Sequence, residues 1–267
     1  MIATFHRVAV YTIIIIIVGL FGLGGKIQLC LDWKIILFGI FSIFNSLLYT
    51  YALRKIEITS IGTISYIGPV LFLLIDVFLI NTPLSILQIL GITFLVLGGV
   101  GFAIEGNTRK FKKEISIKIL GVFIFWIAYA GTEAYLFKFM NATQDINATT
   151  FFANVWAWAT IALFVLVLVQ KKTNLLFTLS ARNYIKNSII GKSCDVGATL
   201  FASQALILAS VSQVSAMTAL DPLMLFLVTV IIQGVLKIHL NERLDQKNFI
   251  WKGGMVILLI TGGFLVR

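Results

Sequence analysis

Runs of about 20 apolar residues, each long enough to cross a bilayer core as a helix, recur from end to end of the chain. They predict nine helices: α1 over 8–23, α2 over 35–53, α3 over 60–80, α4 over 84–104, α5 over 117–137, α6 over 150–169, α7 over 187–209, α8 from 213 to about 236, and α9 over 249–266. Short polar breaks separate them. The break at 105–114 carries Arg109, Lys110, Lys112 and Lys113 and is the natural boundary between two halves. The longest connection is 171–186, with an amphipathic piece near 175–179. The first run follows Arg7 and resembles a signal peptide, but no small-x-small cleavage site precedes a soluble domain, so it reads as a short span.

One phrase occurs in both halves. Ala52-Leu53 ends one apolar run, a polar break follows, and Pro69 stands 17 residues after Ala52. Ala205-Leu206 ends another run, and Pro222 stands 17 residues after Ala205. The copies lie 153 residues apart, and only three prolines occur in the chain. Repeats at half the chain length in an apolar protein are a mark of transporters. Aligning the halves pairs α2, α3 and α4 with α7, α8 and α9. It also pairs α1 with α6, because Thr4-Phe5 resembles Thr150-Phe151. Nothing precedes α1 to match α5. The expected division is 1–106 for a four-helix repeat, 107–116 for a basic connector and 117–267 for a five-helix repeat. Either a first helix has been lost or the true start lies upstream of Met1; translating the upstream DNA decides between them. Some seven residues are inserted between Pro222 and Glu242 relative to the first half.

Composition agrees with this pattern. Hydrophobic residues make up 59% of the chain and charged residues 12%, about half the charge of a soluble domain. A sizeable soluble domain is therefore excluded. The net charge of +10 lies in short loops between spans, which fits anionic lipid better than nucleic acid. Cys30 and Cys194 lack metal-ligand spacing and read as free thiols. With nine spans, fifteen Lys and Arg residues fall on the face of the N-terminus and four on the other, while Lys192 and Lys252 lie within spans. The positive-inside bias then puts the N-terminus in the cytoplasm, the C-terminus outside and the protein in the cell membrane. Matching helices of a five-helix repeat cross in opposite directions, so the repeats are inverted. Asn-x-Thr sequons at Asn141 and Asn147 fall in an outside loop and read as plain polar loop.

The Ala-Leu end, the mid-helix proline, and Asn241-Glu242-Arg243-Leu244 before a glycine-rich last span resemble the EamA family of the drug/metabolite transporter superfamily. Asn81-Thr82-Pro83-Leu84 is a weaker copy without the acidic residue. Gly91, Gly98, Gly99, Gly262 and Gly263 agree with the family's glycine-rich final helices. The resemblance implies an all-α polytopic membrane protein of ten helices in two inverted repeats, here with nine visible. It implies carriage of small metabolites through a cavity among α2, α3, α5, α7 and α8. The basic segment between the halves departs from the orientation of many members.

Polar side chains within spans are costly toward lipid and usually face the bundle interior. On α5, Trp126, Ala130, Glu133 and Phe137 share a face suited to an amphipathic or cationic solute or to a coupling proton. The alternative for Glu133 is solvation near the outer end, or pairing with Lys138. On α7, Lys192, Asp195 and Thr199 share a face, and the first two can simply neutralise each other. The matching face of α2 holds Ser42, Asn45 and Tyr49. Asp221 precedes Pro222, and Pro69 with Pro222 would be paired hinges, because proline removes a backbone donor and loosens a helix. Asp76, near a helix end, reads as interfacial. Trp156 and Trp158 read as lipid-facing anchors on a peripheral α6.

The reading is a secondary transporter working by alternating access, with no cofactor or metal. Its partners are a small-molecule solute, membrane lipids and, alternatively, a coupling proton. A gap where a helix is missing invites a homodimer. The alternatives are a transport-inactive remnant or scaffold and an intramembrane enzyme. For the enzyme, only His6 and His239 are present, and neither Asp-x-x-Asp nor His-Glu-x-x-His occurs.

Overall fold

The computed structural model describes residues 2–22, 26–53, 68–78, 80, 81, 83–103, 117–171, 173, 176, 179–217 and 246–266. Among these, the regular structure is helical. The helices are α1 Ile2–Leu20, α2 Trp33–Leu53, α3 Gly68–Phe78, α4 Ile86–Ala103, α5 Ile117–Gln144, α6 Ala148–Val169, α7 Leu179–Leu208, α8 Val211–Met217 and α9 Gln246–Val266. The first part of α3, the 107–116 connector, α8 beyond Met217 and the seven-residue insertion lie outside the described residues. Among the described residues, α1 and α6 are long and apolar enough to cross a membrane, while α2, α3, α4 and α9 contribute shorter apolar helices.

Helix ends follow local chemistry. Ser85 and Gln88 bond reciprocally at the start of α4, the Ser85 N–H donating to Gln88 Oε1 (2.9 Å) and the Gln88 N–H to Ser85 Oγ (3.2 Å). Ser210 and Gln213 make the same capping box at the start of α8. Three ends differ most from expectation, the first being α1, which begins six residues before Val8. α5 runs seven residues past Phe137, and α7 begins eight residues before Asn187. Backbone hydrogen bonding continues through polar residues that an apolar count assigns to loops. Asn141 then closes α5, its Nδ2 donating to the Ile146 carbonyl, and Asp145 turns the chain at φ 53°.

The helices pack as two units. The first comprises Met1–Arg54 with Ile124–Leu208 and holds α1, α2, α6, α7 and most of α5. Here α6 packs against both α1 and α2, and α1 packs against α7. Helices α1 and α6 run antiparallel: the Phe5 ring meets Phe164 at 6.0 Å, and Thr12 Oγ1 donates to the Trp156 carbonyl at 3.0 Å. Val8, Ile43, Ala159 and Leu163 form the core between the three helices. Helix α6 thus packs on two neighbours within this unit, while Ile161, Val165 and Val169 on it stay exposed.

The 26–32 segment is strapped along the start of α6. Asn147 Nδ2 and Thr150 Oγ1 donate to the Lys26 carbonyl (2.9 and 3.0 Å). Asn154 acts like a neighbouring strand: its Nδ2 donates to the Gln28 carbonyl (2.8 Å), and its Oδ1 accepts from the Cys30 N–H (3.0 Å). Asp32 accepts from Gln144 and from the Lys34 N–H, bonds that hold its carboxyl below the usual carboxylate range. Asn147 also caps α6 by accepting from the Thr150 N–H, so both sequon amides are committed to the fold. Replacing Asn154, 4% exposed, with Leu leaves the Gln28 carbonyl and Cys30 N–H without partners. The expected loss is roughly 2 kcal/mol or more, read as a lower melting midpoint in detergent.

The second unit comprises Lys55–Phe123 with Ala209–Arg267 and holds α3, α4, α8 and α9. Helices α4 and α9 are antiparallel along a glycine seam. A Cβ at Gly98 would come 2.9 Å from Leu259 Cδ2, and one at Gly262 would come 2.9 Å from Leu95 Cγ. Each glycine thus meets the leucine three residues before the other. Farther along, Trp251 Nε1 donates to the Gly101 carbonyl (2.9 Å). Ile92, Leu95, Val96, Ala216, Leu259 and Val266 form the core. Asp76 is 2% exposed, and its Oδ2 accepts from the Ser212 N–H at 2.8 Å. It is a buried tie between α3 and α8.

Candidate functional site

Polar side chains of α7 gather around Tyr11. Its hydroxyl donates to Thr199 Oγ1 at 2.9 Å, and Thr199 Oγ1 in turn donates to the Asp195 carbonyl at 2.8 Å. One turn earlier on α7, Lys192 is ion-paired with Asp195. The Lys192 ammonium lies 5.9 Å from the centre of the Tyr11 ring, and the Trp156 ring flanks Tyr11 at 5.1 Å. Lys192, Asp195 and Thr199 thus share the α7 face expected of them, and that face looks onto α1.

A second polar group comes from α5. The Tyr129 hydroxyl donates to Glu133 Oε1 at 3.3 Å, one helical turn along. The Tyr129 ring is stacked on Phe38 of α2, with centres 4.8 Å apart and planes 12° apart. Ser42, fully buried, donates to the Gly39 carbonyl (2.6 Å), and its side chain also engages Tyr129. Glu133 and Asp195 both act electrostatically on Tyr11, and Tyr11 acts on Tyr129. The Tyr129–Glu133 pair and the Tyr11 group both belong to the first unit. Arg7, one turn before Tyr11, lies near enough to Lys192 to act on its charge.

Asn45 lies on α2 one turn beyond Ser42. It is 8% exposed, and its Oδ1 has no hydrogen-bond partner among the described residues. Trp126 is half-buried on α5, one turn before Tyr129. Tyr49 lies on α2, with its side chain outside the described residues, as are Asp221 and Pro222. Pro69 is buried at the start of the described part of α3. Phe137 packs with Phe151 and Phe152 in the core instead of lining the polar group. Among the described residues no three His, Cys, Asp or Glu side chains gather to hold a metal.

Sequence reasoning missed Tyr11 and Tyr129, each the polar-tipped residue of an apolar stretch. The available signal was spacing: Tyr11 stands four residues after Arg7, and Tyr129 four before Glu133. Trp156, read as a lipid anchor, is here a wall of the site.

Charge selectivity separates a structural from a functional role for the α7 pair. Asp195→Asn leaves the Lys192 ammonium without its counter-ion, so this single variant should lose binding or stability. Adding Lys192→Met should restore melting if the pair only neutralises itself. Activity that stays lost in the well-folded double variant would mark the pair as part of the site.

These features meet in a chain whose first part has known relatives. Residues 1–104 match the EamA-like transporter family. The EamA match covers α1 through α4, less than half of the chain. No curated protein matches the chain. A solved crystal structure, described only as that of a protein, superposes with a TM-score of 0.67 at 15% identity, covering 99% of this chain and 87% of that one. The likeness is one of fold.

Proposed function

We propose that the chain is a secondary transporter of the EamA type in the drug/metabolite transporter superfamily. It moves a small organic solute across the cell membrane by alternating access. The observation that carries this is the presence in one unit of the Tyr11, Thr199, Lys192 and Asp195 group and the Tyr129–Glu133 pair, in a chain whose first 104 residues match a transporter family. Ionisable groups within spans line solute or ion pathways.

Two inverted repeats divide the chain at 107–116, with all nine helices spanning. Several contacts support this arrangement. Three of the four helix pairs that sequence makes equivalent pack on each other, α1 on α6, α3 on α8 and α4 on α9, with α2 and α7 the exception. The α1/α6 and α4/α9 pairs are antiparallel, as inversion requires, and the reciprocal contacts of Gly98 and Gly262 are those a local two-fold axis would generate. The α1–α7 contact has its counterpart in α6–α2. Pro69 and Pro222 serve as compliance points, and the basic loops place the N-terminus in the cytoplasm. Reconstitution tests the proposal: proteoliposomes should take up at least one member of a broad metabolite and amine panel. If nothing moves, and Glu133 and Asp195 can be made apolar without phenotype in cells, the proposal fails.

A further inference from the structure

This inference rests on the reading of the first unit as membrane-spanning, and it concerns the strap at 26–32, which the Tyr11 group does not use. Four helix ends of that unit meet there: α1 stops at Leu20, α2 starts at Trp33, α5 stops at Gln144 and α6 starts at Ala148. Gly19 packs beside Ile27 and Thr149, and Gln144 donates to Asp32. The strap therefore sits where the spans leave the bilayer. Its main chain is extended, because two α6 side chains each bridge residues two apart. Thr150 Oγ1 donates to the Lys26 carbonyl and accepts from the Gln28 N–H, and the Asn154 amide spans Gln28 and Cys30 in the same way. Even-numbered residues thus turn their main-chain groups to α6, and odd-numbered ones turn theirs away. The main-chain groups of Ile27 and Leu29, and the Leu31 N–H, have no hydrogen bond among the described residues.

Leu29, Leu31 and Trp33 are 80%, 66% and 66% exposed. Such a segment suits neither bulk solvent nor hydrocarbon. A run of large apolar side chains is poorly placed in water, and unpaired main chain is not tolerated in the acyl core. The headgroup layer satisfies both, and it is where tryptophan is enriched. The charge agrees. Lys26 is exposed beside the open N–H groups, and Lys34 holds its ammonium 4.8 Å from the Phe139 ring, while the Asp32 carboxylate is engaged by Gln144 and the Lys34 N–H. We propose that the strap is a phospholipid-docking edge. Headgroup phosphates accept from the Ile27 and Leu29 N–H groups and from Lys26, and Leu29, Leu31 and Trp33 lie among the upper acyl carbons.

Fluorescence quenching in vesicles tests this. Leu29→Cys, with Cys30 and Cys194 replaced by Ser, is labelled with a nitrobenzoxadiazole fluorophore and reconstituted in phosphatidylglycerol and phosphatidylcholine; the strap's described bonds use main-chain atoms at 30 and none at 29. Lipid spin-labelled high on its acyl chain is expected to quench at least about two-fold more than lipid labelled near the chain end, or than aqueous iodide. Stronger quenching by iodide puts the strap in water, stronger quenching by the deep label puts it in the core, and quenching by none means that protein, such as a second copy, covers it. Each of these overturns the inference. Hydrogen exchange on the unmutated protein gives a second readout free of substitutions: the 26–31 amides are expected to exchange several-fold more slowly in phospholipid nanodiscs than in a phosphate-free maltoside detergent, and equal rates overturn the inference too. Solute flux with a water-exposed strap would leave the carrier reading standing and sink this one. Lipid quenching as expected, with no flux of any solute, would sink the carrier reading instead.

Discussion

Glu133→Gln is expected to lower solute flux in proteoliposomes at least ten-fold while the protein still folds. Glutamine keeps the shape of the side chain and retains an oxygen to accept the Tyr129 hydroxyl, now 3.3 Å from Glu133 Oε1. What it removes is the capacity to carry a negative charge beside the Tyr129 hydroxyl. Inside a low-dielectric bundle, one charge in contact with a solute or proton outweighs the neutral contacts around it. A ten-fold change corresponds to about 1.4 kcal/mol, a modest demand on an interaction of that kind. Tyr129→Phe should have a smaller effect, because it removes a neutral hydrogen bond and keeps the ring stacked on Phe38. Flux of Glu133→Gln equal to the unmutated protein would remove this carboxylate from the mechanism.

The second large effect is expected in the α4/α9 seam, where two adjacent glycines should behave oppositely. A Cβ at Gly262 would come 2.8 Å from the Gly91 carbonyl oxygen and 2.8 Å from the Leu95 nitrogen. Both are backbone atoms, which cannot rotate aside, so Gly262→Ala must push the helices apart. Overpacking of this kind costs roughly 1–3 kcal/mol. At Gly263 a Cβ would meet nothing within 4 Å. Gly263→Ala should therefore leave the melting midpoint unchanged or raise it slightly, since alanine is the better helix former. The pair shares composition, depth and helix, so the contrast reports the seam itself. Equal midpoints for the two variants would mean that α4 and α9 do not approach as described.

Much of the helical plan was legible because a bilayer imposes a length on every span. Each apolar run carries at least part of a described helix, and among the described residues the errors lie at polar ends. Met140–Gln144 and the residues before Asn187 continue helices because a helix emerging into water has no reason to stop where hydrophobicity does. The capping boxes at Ser85 and Ser210 mark true starts, and both can be read locally. Glu133, Lys192, Asp195 and Asn45 stood out because charge and amide are conspicuous in apolar runs, and all four lie in one packing unit. Tyr11 and Tyr129 did not stand out: a tyrosine among Ile, Val and Ala reads as core until its hydroxyl has a named partner. Trp156 was misread for a related reason. Helix α6 is apolar all round, so its pattern has no face to show that α1 lies on one side and α2 on another. The tie of Asp76 was not legible because its partner, the Ser212 N–H, is 136 residues away and has no side-chain signature.

The claim on which the account turns is that the Tyr11 cluster opens to one side of the membrane at a time. Thr199→Cys, in a background with Cys30 and Cys194 replaced by Ser, puts a thiol at the hydroxyl that accepts from Tyr11. Membrane-impermeant maleimide, applied separately to right-side-out and inside-out vesicles, measures which side reaches it. The account predicts labelling from both sides, with saturating transported solute lowering the rate on one side or both. Labelling from a single side under every condition, or from neither, would contradict it.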